Sequence, residues 1–310
     1  MAQLLEPQPK KIWATLITNL SYLPGLLTLR HSLLATGTAY PFIALYTPSF
    51  PPEGLAALHA RNIPTRAVPT IQPNTTRTYT QDPRFNETWN KLVVFGLTDL
   101  ERVVLLDGDM LVRKGMDELM DVPLDGDGEG EGNRVFAASH ACACNPMKKA
   151  HYPAHWIPSN CAFTTQHPDP TSAQTLPAPV SSGVGMLNSG LLVVRPNPTT
   201  FTHIQTYLND PQKVERYTFP DQELLSEAFK DRWAPLPYVY NALKTMRAEN
   251  VHGVIWRDWE VKNVHYIFAI KPWQQPPEEA TEGDVLNRWW WEVNAERQRV
   301  ERKRGIEDGY

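Results

Sequence analysis

The chain has 310 residues, 42% of them apolar, enough for one large domain or two small ones around a sizeable core. Its 30 basic and 34 acidic side chains leave a formal charge of -4, a balance that gives no electrostatic footing to a nucleic-acid partner. No apolar run reaches the ~18 residues of a membrane span, Met1 to Lys11 lacks the apolar core of a signal peptide, and three cysteines make no disulfide framework, so a reducing cytoplasm is the expected home.

Ile12 to Thr18 is an expected first strand. Pro24, tolerable in a first helical turn, leads into a helix over Leu26 to Leu34 that ends near Gly37. Pro41 to Thr47 is a second strand, Pro51 to Arg61 a short helix and Ile63 to Val68 a third strand. Phe85 to Leu97 is an expected helix with Trp89, Leu92, Val93 and Leu97 on one face. Val103 to Leu106, four apolar residues of which two are β-branched, is an expected buried strand of a parallel sheet. Such alternation predicts an α/β doubly wound, mostly parallel sheet with right-handed crossovers.

The alternation breaks after residue 120. Asp125 to Asn133 is acidic, Gly-rich and expected to be a flexible surface loop; its Asp125 and Asp127 lack the terminal Glu of an EF-hand. Arg134 to Ser139 resumes as a strand, residues 141 to 185 are an irregular insertion rich in Pro, His, Cys and Ser, and Met186 to Val194 is again strand-like. Helices are expected over Thr199 to Leu208 and Asp221 to Phe229, a late strand over Val261 to Ile270, a Pro/Glu-rich linker from Gln274 and a last helix from Gly283 to Arg304. The expected organisation is thus a main domain over 11–273, carrying the insertion, followed by a linker and C-terminal helix over 274–310.

Asp107-Gly108-Asp109 leaves the Val103 to Leu106 strand at its carboxyl end, the edge where open α/β sheets bind ligands. Alternating carboxylates there suit a divalent cation that in turn holds a diphosphate, although an isolated pair is more simply an acidic turn. Lys91 precedes that strand and suits an anionic ligand. Leu187-Asn188-Ser189-Gly190 carries side chains able to hydrogen-bond sugar hydroxyls, Asp221-Gln222 opens a helix after Pro220, and Asn263-Val264-His265-Tyr266 is followed by Lys271-Pro272-Trp273. His265 is a candidate third metal ligand and Lys271 a phosphate neutraliser.

Together these patches resemble glycosyltransferase family 8, the glycogenin-like and galactinol-synthase-like enzymes, over roughly residues 11 to 273. The resemblance rests on Thr18-Asn19-x-x-Tyr22, Asn90-Lys91-Leu92, Asp107-Gly108-Asp109, Leu187-Asn188-Ser189-Gly190, Asp221-Gln222-Glu223-Leu224-Leu225, Leu236-Pro237-x-x-Tyr240-Asn241 and His265 with Lys271-Pro272-Trp273, in the family's order. It implies a single-domain, Rossmann-like nucleotide-diphospho-sugar transferase fold of the GT-A type and a Mn2+-dependent (or Mg2+-dependent) hexosyltransferase using a UDP-sugar with retention of configuration. Asp107, Asp109 and His265 would ligate the metal, and Gly108 would lie between the carboxylates at the donor. Thr18, Asn19 and Tyr22 would line the uridine pocket, Tyr22 stacking on the base. Lys91, Lys271 and Arg84 would contact the donor. Asn188, Ser189 and Gly190 would hold the donor sugar; Asp221 and Gln222, with Lys91, would border the reaction centre. The implied acceptor is a carbohydrate, polyol or glycoconjugate hydroxyl, and homodimers are common in the family.

The chain also departs from the family. Glycogenins glucosylate a tyrosine of their own, but Ala242 to Asn263 contains none, so self-glucosylation there is not expected. Thr218 stands about where the family has an acidic residue before the Asp-Gln pair. The insertion has no counterpart in glycogenins and resembles that of fungal members. It holds His140, Cys142, Cys144, His151, His155 and Cys161, from which a Cys3His zinc site is chemically possible; Cys-x-Cys is tighter than the usual gap, so reduced thiols packing a Pro-rich loop are expected. Trp289-Trp290-Trp291 cannot all face one side of a helix, so one or two are expected to staple it to the main domain. The run Glu296 to Arg304 is expected to be a solvated helix end, and the sequons at Asn19, Asn74 and Asn86 are taken as chance. A nucleotidyltransferase is a rival reading, but Thr18 to Gly25 supplies no Gly-rich phosphate loop. A silent nucleotide-sugar-binding scaffold is a second, opposed by the intact Asp107, Asp109 and His265.

Overall fold

The structure, a computed structural model, describes residues 10–125 and 134–310. In chain order the strands are β1 (Lys11–Ile17), β2 (Phe42–Tyr46), β3 (Thr65–Ala67), β4 (Arg102–Leu106), β5 (Met110–Val112), β6 (Phe136–His140), β7 (Leu187–Val194), β8 (Ala234–Pro235), β9 (Ala242–Leu243) and β10 (Asn263–His265). The α-helices are α1 (Leu23–Ala35), α2 (Pro52–Ala60), α3 (Pro198–Leu208), α4 (Pro211–Val214), α5 (Pro220–Ala228), α6 (Pro277–Thr281) and α7 (Val285–Lys303).

The main sheet runs β3-β2-β1-β4-β7-β6-β8, all parallel except β7, which runs against both β4 and β6. β4 shows why its residues make a central strand. Val103 and Leu105 enter the core on one face of the sheet, while Val104 and Leu106 enter the core on the other. A strand covered on both faces must be apolar at consecutive positions, and each such side chain contributes roughly 1.5–3 kcal/mol on burial. The first carboxylate motif therefore marks the point where the chain leaves the core.

A second sheet, β5-β10-β9, continues from that exit. β5 follows Asp109 directly and pairs antiparallel with β10 in the register His265 opposite Met110, and Tyr266 N donates to Asp109 O at 2.9 Å. A third core under the insertion includes Trp156, Phe163, Tyr238, Trp256 and Tyr266.

Several expected elements differ. Residues 85–97 form two 3-10 segments, Pro83–Asn86 and Thr88–Gly96, not one α-helix. Trp89, Asn90 and Leu92 to Phe95 are all buried, so the segment is enclosed rather than laid on one stripe, and Asn90 Oδ1 accepts Ile71 N at 2.7 Å. The late strand is only Asn263–His265; Phe268, at φ 73°, breaks the extended run and turns the chain so that Lys271 comes back to Asp109. The linker contains α6, with Pro277 in its first turn and Glu278 and Glu279 placed favourably at the helix N-terminus. Of the acidic loop, only Asp125 is described; residues 126–133, Asp127 included, lie outside the described residues.

α7 starts on Asp284, whose carboxylate accepts Leu286 N at 3.1 Å and Asn287 N at 3.0 Å. Trp290 is buried against Trp273, Trp291 donates to Pro272 O at 3.1 Å, and the Arg113 guanidinium stacks 3.3 Å from the Trp289 ring centre. The charged run is not a solvated end throughout. Arg297 and Glu301 are buried, and Glu301 takes Arg297 at 2.6 Å and Arg61 at 2.9 Å. No helix among the described residues is long and apolar enough to cross a membrane.

Candidate active site

The carboxyl ends of β1 and β4, the start of β7, the first turn of α5 and the end of β10 meet around one cleft. Residues on it include Thr18, Asn19, Tyr22, Arg84, Lys91, Asp107, Gly108, Asp109, Asn188, Ser189, Gly190, Asp221, Gln222 and His265. Lys271 lies just behind, 1% exposed, donating to Asp109 Oδ2 at 2.5 Å and to Tyr266 O at 2.7 Å. The structure thus brings the expected site residues together.

Asp107, Asp109 and His265 each offer one ligand atom within 4.8 Å of the others. His265 Nε2 is 3.3 Å from Asp109 Oδ1 and 3.8 Å from Asp107 Oδ2. Asp109 Oδ1 is buried and has no hydrogen-bond donor among the described residues. An orphaned carboxylate oxygen beside an imidazole nitrogen, at close to the ~3 Å edge of an octahedral site with bonds of ~2.1 Å, fits a hard divalent cation.

The surroundings act on the two carboxylates of this trio in opposite directions. Burial opposes charge on Asp109, but Lys271 and His265 outweigh it and hold the carboxyl well below the usual range. Burial pushes Asp107 the other way, with Lys91 opposing and Asp109 adding to the rise. Lys91 bonds Asp107 at 2.8 Å and lies 3.8 Å from Asp221; these carboxylates overcome its burial and hold its ammonium charge firmly. Burial draws Lys271 down, and Asp109 offsets part of that. Three carboxylates facing two ammonium groups leave the cleft attractive to a cation.

His265 is oriented from behind by Asn241, which is wholly buried. Its Nδ1 lies 2.9 Å from Asn241 Oδ1, Asn241 Nδ2 donates to Asn188 Oδ1 at 2.8 Å, and Asn188 Nδ2 donates to Gln222 Oε1 at 3.2 Å. A proton on Nδ1 leaves the Nε2 lone pair toward the carboxylates. Gly190 serves the same histidine: a Cβ there would stand 2.3 Å from His265 Cε1. That close approach leaves no room for a side chain at this position. Gly25, in the first turn of α1, likewise lets Gly108 O and the Trp273 ring approach.

Elsewhere on the cleft Arg84 pairs with Asp82, donates to Phe268 O at 2.7 Å and to Tyr22 Oη at 3.3 Å. Burial pushes the Tyr22 phenol up, so it stays neutral. Glu87, absent from the sequence expectations, accepts from Thr18 Oγ1 and from Asn19 Nδ2. Asn241 carried no expected role either, although its motif did; nothing local marks Glu87. From the insertion, Tyr152 and Trp156 also line the cleft, with Trp156 stacked on Phe219 at 4.7 Å.

Comparison with known proteins agrees with this geometry. The family described as Glycosyl transferase family 8 matches residues 14–276. Galactinol synthase 1 of Ajuga reptans is 26% identical over 297 residues, covering 92% of this chain and 81% of that one. Galactinol synthase 4 of Arabidopsis thaliana is 24% identical over 304 residues, covering 93% and 82%. Among solved structures, the galactosyltransferase LgtC with donor and acceptor sugar analogs superposes with a TM-score of 0.60 at 16% identity, covering 92% of this chain and 96% of that one. The glycosyltransferase GlyE of Streptococcus pneumoniae gives 0.57 at 18% identity, covering 92% and 61%. These likenesses assign the GT-A glycosyltransferase fold. The family match includes the ends of the strands that line the cleft, and this chain accordingly belongs to glycosyltransferase family 8 as a hexosyltransferase.

Proposed function

We propose that this glycosyltransferase takes its sugar from a UDP-sugar, depends on Mn2+ or Mg2+, retains anomeric configuration and delivers the sugar to a carbohydrate, polyol or glycoconjugate hydroxyl. The observation that carries the reading is the convergence of Asp107, Asp109 and His265, with Asp109 Oδ1 left without a donor. When bound, the cation supplies charge neutralisation for the diphosphate as the glycosidic bond breaks.

The chain's own residues do the rest. Tyr22, neutral and backed by Arg84, offers a face to the uracil, and Thr18 and Asn19 exchange their bonds to Glu87 for bonds to the nucleoside. Lys91 and Lys271 add fixed positive charge where the leaving diphosphate develops negative charge, which is electrostatic catalysis aimed at the transition state. Asn188 and Ser189 present polar groups to the donor sugar, tied to Gln222. Asp221 is the carboxylate that a double displacement would require. It faces Lys91 at 3.8 Å, and that pairing blunts it as a nucleophile. We favour same-face substitution, with the acceptor proton passing to the departing phosphate oxygen. Three unbridged cysteines suit a reducing compartment such as the cytoplasm.

Calorimetry with UDP tests the reading: binding is expected with Mn2+ and lost in EDTA and in Asp109→Asn, and metal-independent binding in both would overturn it. A UDP-release screen over UDP-sugars, without acceptor and then with sugars and polyols, identifies the donor. Because the curated relatives are named galactinol synthases, galactinol is the first product to look for.

A further inference from the structure

The insertion's three cysteines meet at a histidine from a different part of the chain. Cys142 and Cys144 follow β6, Cys161 precedes the 3-10 turn Ala162–Gln166, and His252 lies between β9 and β10. His252 is wholly buried, and its Nε2 stands 3.4 Å from Cys142 Sγ, 3.2 Å from Cys144 Sγ and 3.4 Å from Cys161 Sγ. All four ligand atoms lie within 4.8 Å of one another. The three histidines expected alongside these cysteines do not join them: His140 bonds the carbonyls of Ala178 and Pro179, and His151 and His155 are exposed.

Hydrogen bonding does not account for the cluster. One imidazole lone pair accepts one thiol proton, yet three sulfurs surround it. No pair is bridged, and an odd number of cysteines would leave one over in any disulfide scheme. A tetrahedral metal does account for it. With Zn–S of about 2.3 Å and Zn–N of about 2.0–2.1 Å, the sulfur-to-nitrogen edge is about 3.6 Å, close to the separations seen. His252 is also held from behind: its Nδ1 is 2.9 Å from His167 Nε2, so a proton on Nδ1 points the Nε2 lone pair at the sulfurs.

We propose that Cys142, Cys144, Cys161 and His252 form a structural Zn2+ site, separate from the carboxylate site in the cleft. Four protein ligands with no open position are the pattern of a structural rather than catalytic zinc, and three soft thiolates disfavour Mn2+ and Mg2+. Zinc binding displaces the thiol protons. The site ties an insertion with no long helix or strand of its own to the loop that carries His252. Cys142, Tyr152 and Trp156 line the cleft, so the metal also fixes this part of its wall. Sequence spacing concealed the site because its fourth ligand lies outside the insertion.

The full-length chain, purified from zinc-supplemented medium without chelators, is expected to contain about one zinc per chain by elemental analysis. Asp109→Asn keeps the zinc, and His252→Ala loses it. His252→Cys, which restores four ligands, keeps it. Cobalt exchange gives the visible bands of tetrahedral Co2+ with a thiolate-to-cobalt charge-transfer band. Because removal of a ligand can unfold the chain, the wild type supplies an independent measurement: its three thiols resist alkylation until a mercurial releases the zinc in step with their titration. A folded, zinc-free wild type with freely reacting thiols, a disulfide found by non-reducing peptide mapping, or zinc retained by His252→Ala would each overturn the assignment.

Discussion

Asn241 and Gly190 both act on His265, one by a hydrogen bond to Nδ1 and the other by the room it leaves beside Cε1. Loss of a hydrogen-bond partner behind a metal-binding histidine typically weakens metal binding about 10–100-fold. Asn241→Ala should therefore weaken Mn2+ binding by about that factor, measured by calorimetry, while Asn241→Asp, which keeps an acceptor oxygen, should lose less. Gly190→Ala should weaken Mn2+ binding too, because its methyl group displaces the imidazole. Unchanged Mn2+ affinity in both Ala variants would remove His265 from the metal site. The sequence supplied the motif containing Asn241 but no role for it, because a role behind another side chain is set by packing rather than by spacing. Phe268 is a related case: a bulky residue at φ 73° is rarely adopted and is held here by Arg84 on its carbonyl, within three residues of Lys271.

α7 shows how an element can be legible in its limits and misread in its face. Its start at Asp284 and its end near Lys303 follow from a cap and from basic residues in the last turn. Its charged half looks solvated in sequence, yet Glu301 is the shared partner of Arg61 from the end of α2 and Arg297 of its own helix. Without Glu301, Arg61 keeps Asp308 and Arg297 keeps Asn294 Oδ1 and Tyr310 O, so neither guanidinium is stranded and the loss is that of hydrogen bonds between charged groups. Glu301→Ala should lower the unfolding free energy by about 1.5–3 kcal/mol in urea titration, whereas Arg299→Ala, which breaks only the exposed pair with Glu296, should change it little. Asp284→Ala should cost about 1 kcal/mol through the lost cap. Equal effects of Glu301→Ala and Arg299→Ala would show that the network contributes nothing.

For the molecule as a whole, α7 closes against α1, and His31 of α1 reports on that closure. Burial lowers its pKa from the ordinary 6.5, the Arg297 guanidinium adds to the fall with Arg30, and Glu296 and Glu301 oppose it. The folded chain then binds fewer protons than the unfolded one below about pH 6.5, so stability is whole above that pH and falls as acid is added. The thermal midpoint should therefore drop between pH 7 and 5.5, and His31→Asn should flatten that slope; an unchanged slope would exclude His31 as its source. Sequence alone determined the alternating core of the main sheet, the carboxylates at the exit of β4 and the family, because apolar periodicity and short motifs are local properties of the chain. Tertiary structure alone decided that β10 pairs with β5 to set His265 beside Asp109, that Lys271 turns back beneath them, and that His252 joins three cysteines of the insertion. The physical reason is that each of these depends on strand register and packing between segments far apart in the chain, which no local pattern encodes.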